Sequence, residues 1–82
     1  MNAGRIELHG EFFVTLEAAA DCYHVELRWI EEVYATGVLG HGERVRETIA
    51  IPELELDRLA SIVRWHRYHG LELEAVVALY GA

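Results

Sequence analysis

Lysine is absent from this chain of 82 residues, and all seven of its basic residues are arginine. Fourteen aspartates and glutamates give a formal net charge of −7 with histidine neutral. Such an acidic surface repels the phosphate backbone of nucleic acids and attracts basic protein surfaces. The charge therefore disfavours nucleic acid as a partner and favours a basic patch on another protein.

Cysteine and long apolar segments are also scarce. Cys22 is the single cysteine, so no disulfide can form within the chain, and a reducing compartment is indicated. No apolar run approaches the ~20 residues of a membrane-spanning helix, and the N-terminus lacks the apolar core of a signal peptide. We therefore expect a cytoplasmic protein that does not contact a membrane.

Apolar residues, in contrast, are abundant enough for one packed domain. They make up 52% of the sequence, which argues against disorder. A chain of this length suffices for one domain rather than two, with modest stability unless a partner contributes. We expect a single domain over residues 1–82, in which residues 1–10 form a strand or tail. Residues 12–14 are apolar and are expected to lead into the first helix.

The central pattern, in residues 13–39, is a pair of short helices joined by a tight bend. Thr15 is placed to act as the N-cap of the first helix, and the chain bends after Tyr23. Residues 25–36 carry apolar side chains at helical spacing and end at Gly37, where a left-handed residue closes a helix. Two helices in this order are typical of a helix-turn-helix unit.

The second half of the chain predicts a β-wing and two further helices. Residues 43–51 alternate in polarity as a short wing, with residues 38–39 or 6–8 as its possible pairing partners. Pro52 ends the wing and begins a long helix to about Tyr68, and a short last helix follows. The predicted fold is mainly α, a winged helix-turn-helix of about four helices plus a short β-wing.

Residues 13–39 and 51–81 together resemble the MerR-like winged helix-turn-helix superfamily. The similar positions are the apolar residues Val25, Ile30 and Val33, the Gly37-Val38-Leu39 stop, and the Gly70-Leu71-Glu72-Leu73 turn. The resemblance covers nearly all of the chain after residue 10 and implies the MerR-like fold. DNA-binding members carry an Arg and a Tyr on the second helix, where this chain has Trp29-Ile30-Glu31-Glu32-Val33.

That difference is similar to what is found in CbpM-type chaperone modulators and DnaK–DnaJ assembly factors, whose equivalent helix is also rich in acidic residues. The resemblance implies an adaptor without chemistry of its own. It implies binding to the J-domain of a DnaJ-type co-chaperone through the acidic second helix, which would regulate or assemble the DnaK system. It leaves open whether DnaK itself, or a second copy of this chain, joins the assembly.

Five residues on the second helix are the candidate partner-binding residues: Glu26, Arg28, Trp29, Glu31 and Glu32. Trp29 is the expected anchor, because a tryptophan among charges is costly to leave in water and is enriched at interface hot spots. Two alternatives stay open. The carboxylates could form an ordinary solvated helix face, and the Trp29 ring could pack under the wing.

A MerR-like DNA-binding transcriptional regulator is the alternative function. Its phosphate contacts would come from Arg44 and Arg46 on the wing and from Arg64 and Arg67 on the long helix. The excess of acidic residues favours a different role for these arginines, namely pairing with carboxylates of the same chain.

Catalytic and metal sites are not expected. His66 and His69 lie three residues apart, but a structural zinc site needs four ligands, and His66 is expected to be a hydrogen-bonded core histidine. Ser61 lies within a predicted helix and has no glycine-flanked elbow to present it as a nucleophile. The histidine nearest Cys22 is His24, and residues this close in a helix and turn seldom meet as a catalytic pair. We therefore expect no catalytic residues, no metal and no cofactor.

Overall fold

The computed structural model of this chain describes residues 4–80; residues 1–3 of the expected strand or tail, and residues 81–82, lie outside the described part. The first half contains, in order, β1 (Arg5–Leu8), β2 (Glu11–Thr15), α1 (Leu16–Tyr23) and α2 (Leu27–Ala35). The second half contains β3 (Glu43–Val45), β4 (Thr48–Pro52), a 3-10 turn (Glu53–Glu55), α3 (Leu56–His69) and α4 (Leu73–Tyr80). Within residues 4–80, no helix combines the length and the apolar character needed to cross a bilayer.

The four strands form one antiparallel sheet in the order β1-β2-β4-β3. In the first pair Ile6 lies opposite Phe13, and in the central pair Val14 lies opposite Ile51. Strand β2 is therefore an interior strand with neighbours on both sides. The β3–β4 hairpin extends the sheet, while β1 and β3 form its two edges.

The predicted fold class is wrong, because the chain is a mix of α and β. The described residues are 55% helix and 22% strand, and the strands form a four-stranded sheet. The prediction was a mainly α, MerR-like winged helix-turn-helix with only a short β-wing. The error lies in residues 12–14, which form part of the interior strand β2. Three consecutive apolar residues show no alternation, so their periodicity cannot separate a buried strand from a helix entry. Strand β4, which belongs to the predicted wing, pairs with β2, and not with residues 38–39 or 6–8 as expected.

The core lies between the sheet and all four helices. Its buried cluster contains residues at helical spacing and one residue of β4: Leu16, Ala19 and Ala20 of α1, Ile30 and Val33 of α2, Leu59, Ile62 and Val63 of α3, Val76 of α4, and Ile51. Fully burying one such aliphatic side chain contributes about 1.5–3 kcal/mol. Ile30 and Val33, which lie at the helical spacing predicted for residues 25–36, are thus confirmed as core positions.

Three helix ends form as their residues predict, but the start of the long helix does not: Pro52 ends β4, and α3 begins only at Leu56, after the 3-10 turn. The Thr15 hydroxyl accepts a hydrogen bond from the Ala18 backbone N–H at 3.1 Å, so Thr15 is the N-cap of α1. Gly37 follows α2 with φ of 90°, and Gly70 closes α3 with φ of 67°. His24 closes α1 in the same left-handed region, with φ of 57°. This left-handed residue turns the chain from α1 toward α2.

Candidate partner-binding surface on helix α2

Helix α2 buries one side and exposes carboxylates on the other. Ile30 and Val33 are fully buried at 0% exposure, and they hold the helix against the core. The exposed residues of the candidate site are Glu26, Arg28, Glu31 and Glu32. Glu26 precedes the helix as its N-cap residue, yet its side chain makes no capping hydrogen bond. Its carboxylate therefore points to solvent rather than to the helix backbone.

The carboxylates of α2 have no ionic partner within residues 4–80. In that part of the chain the one ion pair joins Arg5 to Glu53, with 2.8 Å between Nε and Oε2. The side chains of Glu31 and Glu32 also take part in no hydrogen bond there. Exposed pairs stabilise a fold little, so leaving these groups unpaired costs little stability. Their charge is available to a partner.

Trp29 is half-buried and packs against the core, on the side of α2 that faces α3. Its indole ring stacks on the imidazole of His66, with 4.8 Å between ring centroids and 27° between planes. The His66 ring is oriented by its Nδ1 atom, which lies 3.0 Å from the Leu71 carbonyl oxygen. His66 is hydrogen-bonded as predicted, but it is exposed rather than a core residue. The tryptophan ring therefore packs against α3 and not under the hairpin.

A shallow groove of about 460 Å³ lies beside Trp29, between the α1–α2 turn and α3. Its apolar lining comes from Val25 and Trp29, and its charged lining includes Glu26 and Arg67. An apolar surface next to a carboxylate suits a long cationic side chain, which buries its alkyl stem and keeps its charge near the acid. The groove thus joins the two features that were expected to bind a partner.

Arg67 connects this groove to the rest of the fold. Its Nη2 atom donates hydrogen bonds to the carbonyl oxygens of Tyr23, at 2.9 Å, and His24, at 3.0 Å. These carbonyls belong to the end of α1 and to its C-cap, which lack helical partners. Arg67 was a candidate phosphate contact or ion-pair donor, and instead it binds backbone carbonyls. It holds the α1–α2 turn, and with it the start of α2, against α3.

Glu31 faces a different part of the surface. It lines a cleft of about 320 Å³ between α2 and the β3–β4 hairpin, together with Glu17, Arg44 and Glu47. The helical repeat of 3.6 residues places Arg28 and Glu32 between this cleft and the Trp29 groove. The structure therefore brings Glu26 close to Trp29 but puts Glu31 on the opposite flank of the helix.

Glu17 and Glu47 are two acidic neighbours of Glu31 that the sequence did not predict. The hydroxyl of Thr48, at the start of β4, donates a hydrogen bond to Oε1 of Glu17, which ties α1 to the hairpin. Their proximity depends on how the hairpin folds back along α1 and α2. No spacing within the sequence could have indicated it.

Comparison with known proteins identifies no relative of this chain. The chain matches no protein-family model, no curated protein and no solved structure. The similarity to chaperone modulators thus stays a prediction based on the residues of α2. Hypotheses about function depend on that prediction together with the geometry of the described residues.

Proposed function

We propose that this chain is a non-enzymatic cytoplasmic adaptor whose acidic helix α2 binds a basic helix of a partner protein. The proposed partner is the J-domain of a DnaJ-type co-chaperone, through which the chain would regulate or assemble the DnaK system. One observation carries the proposal. Glu26, Glu31 and Glu32 are exposed and have no ion pair within residues 4–80; Glu26 is the N-cap residue of the helix that carries Glu31, Glu32 and the half-buried Trp29.

The dimensions of α2 suit a contact with a single helix. Nine residues at 1.5 Å per residue give α2 a length of about 13 Å, so a partner helix would meet it over two to three turns. Each exposed ion pair across such a contact is worth about 0.2–1 kcal/mol. The charges would therefore contribute mainly to the association rate and to partner selection, while Trp29 and Val25 supply the apolar anchor.

The partner's identity comes from the resemblance to CbpM-type modulators, and its basic character follows from the charges of α2. Nucleic acid is a poor alternative partner, because a phosphate backbone would meet the same carboxylates and the net charge of −7. Arg44 and Arg46 of the hairpin are exposed, so a DNA-binding measurement belongs in the same experiment.

The test measures binding of the chain to a purified J-domain by isothermal titration calorimetry. Glu32→Lys reverses a charge in the middle of the exposed face of α2, and we expect it to weaken binding about tenfold, or ~1.4 kcal/mol. Glu7→Lys is the matched control. Glu7 is an exposed glutamate on the edge strand β1, at the other end of the sheet from the hairpin, so its reversal should change the affinity less than about twofold.

Two results would contradict the proposal. If the wild-type chain does not bind the J-domain, the proposed partner is wrong. If the two charge reversals weaken the affinity equally, α2 is not the binding surface. Specific DNA binding that persists at physiological salt would instead support the regulator hypothesis. Both substituted side chains are exposed, so both variants should fold, and their melting curves check this.

A further inference from the structure

We propose that the exposed side of α3 is a second binding surface, which takes an acidic segment of a partner protein. This surface, called here the α3 face, consists of Arg64, Trp65, Tyr68 and His69. It is separate from the α2 surface. Binding of an acidic segment to it does not rest on the function proposed for α2, and only the bridging of two partners does.

Two residues of the α3 face are large aromatic side chains that reach solvent. Tyr68 is 72% exposed and Trp65 is 37% exposed, and neither belongs to the residues that pack on the core. The rings of Trp65 and His69, one helical turn apart, have centroids 4.8 Å apart and are tilted by 45°, so the indole contacts a neighbour on its own helix. Trp29, in contrast, packs against the core. Large aromatic side chains that a fold leaves uncovered are typical of protein interfaces.

The charge of the α3 face is opposite to that of the whole chain. From Arg58 to Leu71 the sequence contains no acidic residue, although the chain has fourteen. Arg58 and Arg67 in this segment donate hydrogen bonds to backbone carbonyls. Arg64 is exposed and has no hydrogen bond or ion pair within residues 4–80, so its guanidinium is available on the α3 face.

This combination selects the chemistry of the partner. A guanidinium binds a carboxylate through two parallel hydrogen bonds, while neighbouring rings bury apolar side chains. The segment that fits therefore carries carboxylates next to apolar residues, as in an amphipathic acidic helix. A single strand of nucleic acid fits less well, because every nucleotide adds a phosphate and the net charge is −7. A second copy of the chain could present its own acidic α2 to the α3 face, so a dimer is one of the outcomes that the test must distinguish.

Surfaces of opposite charge on α2 and α3 would let the chain hold two different partners at the same time. The basic partner would contact α2, and the acidic partner would contact the α3 face. Since Arg67 links α3 to the α1–α2 turn, the two surfaces have a fixed relative position. The proposal thus extends a single-partner adaptor to one that can bridge two proteins.

The test uses the intact chain and a fluorescein-labelled peptide of about 12 residues, made of Glu and Leu at helical spacing, with anisotropy as the readout. We expect the peptide to bind and Arg64→Glu to weaken its binding about tenfold. Arg46→Glu is the matched control, because it makes the same change of charge on an exposed arginine of the β3–β4 hairpin and should change the affinity less than about twofold. Tyr68→Ala should weaken binding without changing the net charge.

Four results would overturn the proposal. They are no binding of the peptide, equal losses from the two arginine variants, tighter binding of an oligothymidine of equal length, and a concentration-dependent dimer that Arg64→Glu disrupts. The last two would assign the α3 face to nucleic acid or to a second copy. A peptide in which Lys replaces each Glu should not bind. J-domain binding should be unchanged by Arg64→Glu, and its loss would contradict the separation of the two surfaces.

Discussion

Replacing Arg67 by alanine is expected to destabilise this fold by about 1–2 kcal/mol. The change removes two hydrogen bonds, from Nη2 to the carbonyl oxygens of Tyr23 at 2.9 Å and His24 at 3.0 Å. A hydrogen bond contributes about 0.5–1.5 kcal/mol net, and the exposure of Arg67 puts both bonds in the lower half of that range. For a domain of this size, a loss of that order lowers the melting temperature by roughly 4–16 °C.

Arg64→Ala is the control, because it removes the same side chain three residues earlier on α3. Both variants exchange arginine for alanine within a helix, so the difference in helix propensity is the same. Arg64 has no hydrogen bond or ion pair within residues 4–80, and its loss should cost no more than about 0.5 kcal/mol. Thermal and urea unfolding, followed by far-UV circular dichroism, measure both variants. Equal destabilisation of the two would refute the role of Arg67 as the tie between α3 and the α1–α2 turn.

The two tryptophans and one tyrosine give further predictions. Trp29→Ala should lower the free energy of unfolding by about 2 kcal/mol, because Trp29 packs on the core and on His66. Trp65→Ala should lower it by less than about 1 kcal/mol. Urea unfolding measures both variants, and a larger loss for Trp65→Ala would contradict the placement of the two side chains. Burial raises the pKa of the Tyr23 phenol above its usual 10.0, with smaller contributions from the nearby charges of Cys22 and Asp57. The folded-state pKa is thus above the unfolded one, so this part of the stability is complete below pH 10 and is lost as pH rises through the folded-state pKa. Tyr23→Phe should flatten this alkaline decrease in urea unfolding measured at increasing pH, and an unchanged slope would contradict the assignment.

The hairpin changes what a partner of α2 would meet. The cleft beside Glu31 includes Glu47, from the β3–β4 turn, and Glu17, from α1. A partner helix lying along α2 would therefore contact more than one element, and the acidic surface is wider than the helix alone. Charge reversal at Glu47 would test how far that surface extends, and it leaves the residues of α2 unchanged.

The local features of this protein were determined by its sequence alone. Thr15 as an N-cap, Gly37 and Gly70 as left-handed helix stops, and the alternation of the β3–β4 hairpin all depend on interactions within a few residues. Helical spacing identified Ile30 and Val33 as core positions, because one face of a helix must be buried for the helix to be stable. The exposure of the carboxylates on α2 follows from the same spacing.

The tertiary structure alone decided the fold class and the grouping of the candidate site. Residues 12–14 become an interior strand because β1 and β4 supply hydrogen-bond partners on both sides, and such long-range pairing leaves no periodic signal in a short apolar run. Likewise, Trp29 and Trp65 both have charged sequence neighbours, yet Trp29 packs on the core and Trp65 is exposed. Contacts between residues that are distant in the chain, such as that of Arg67 with Tyr23, form only once the helices have packed.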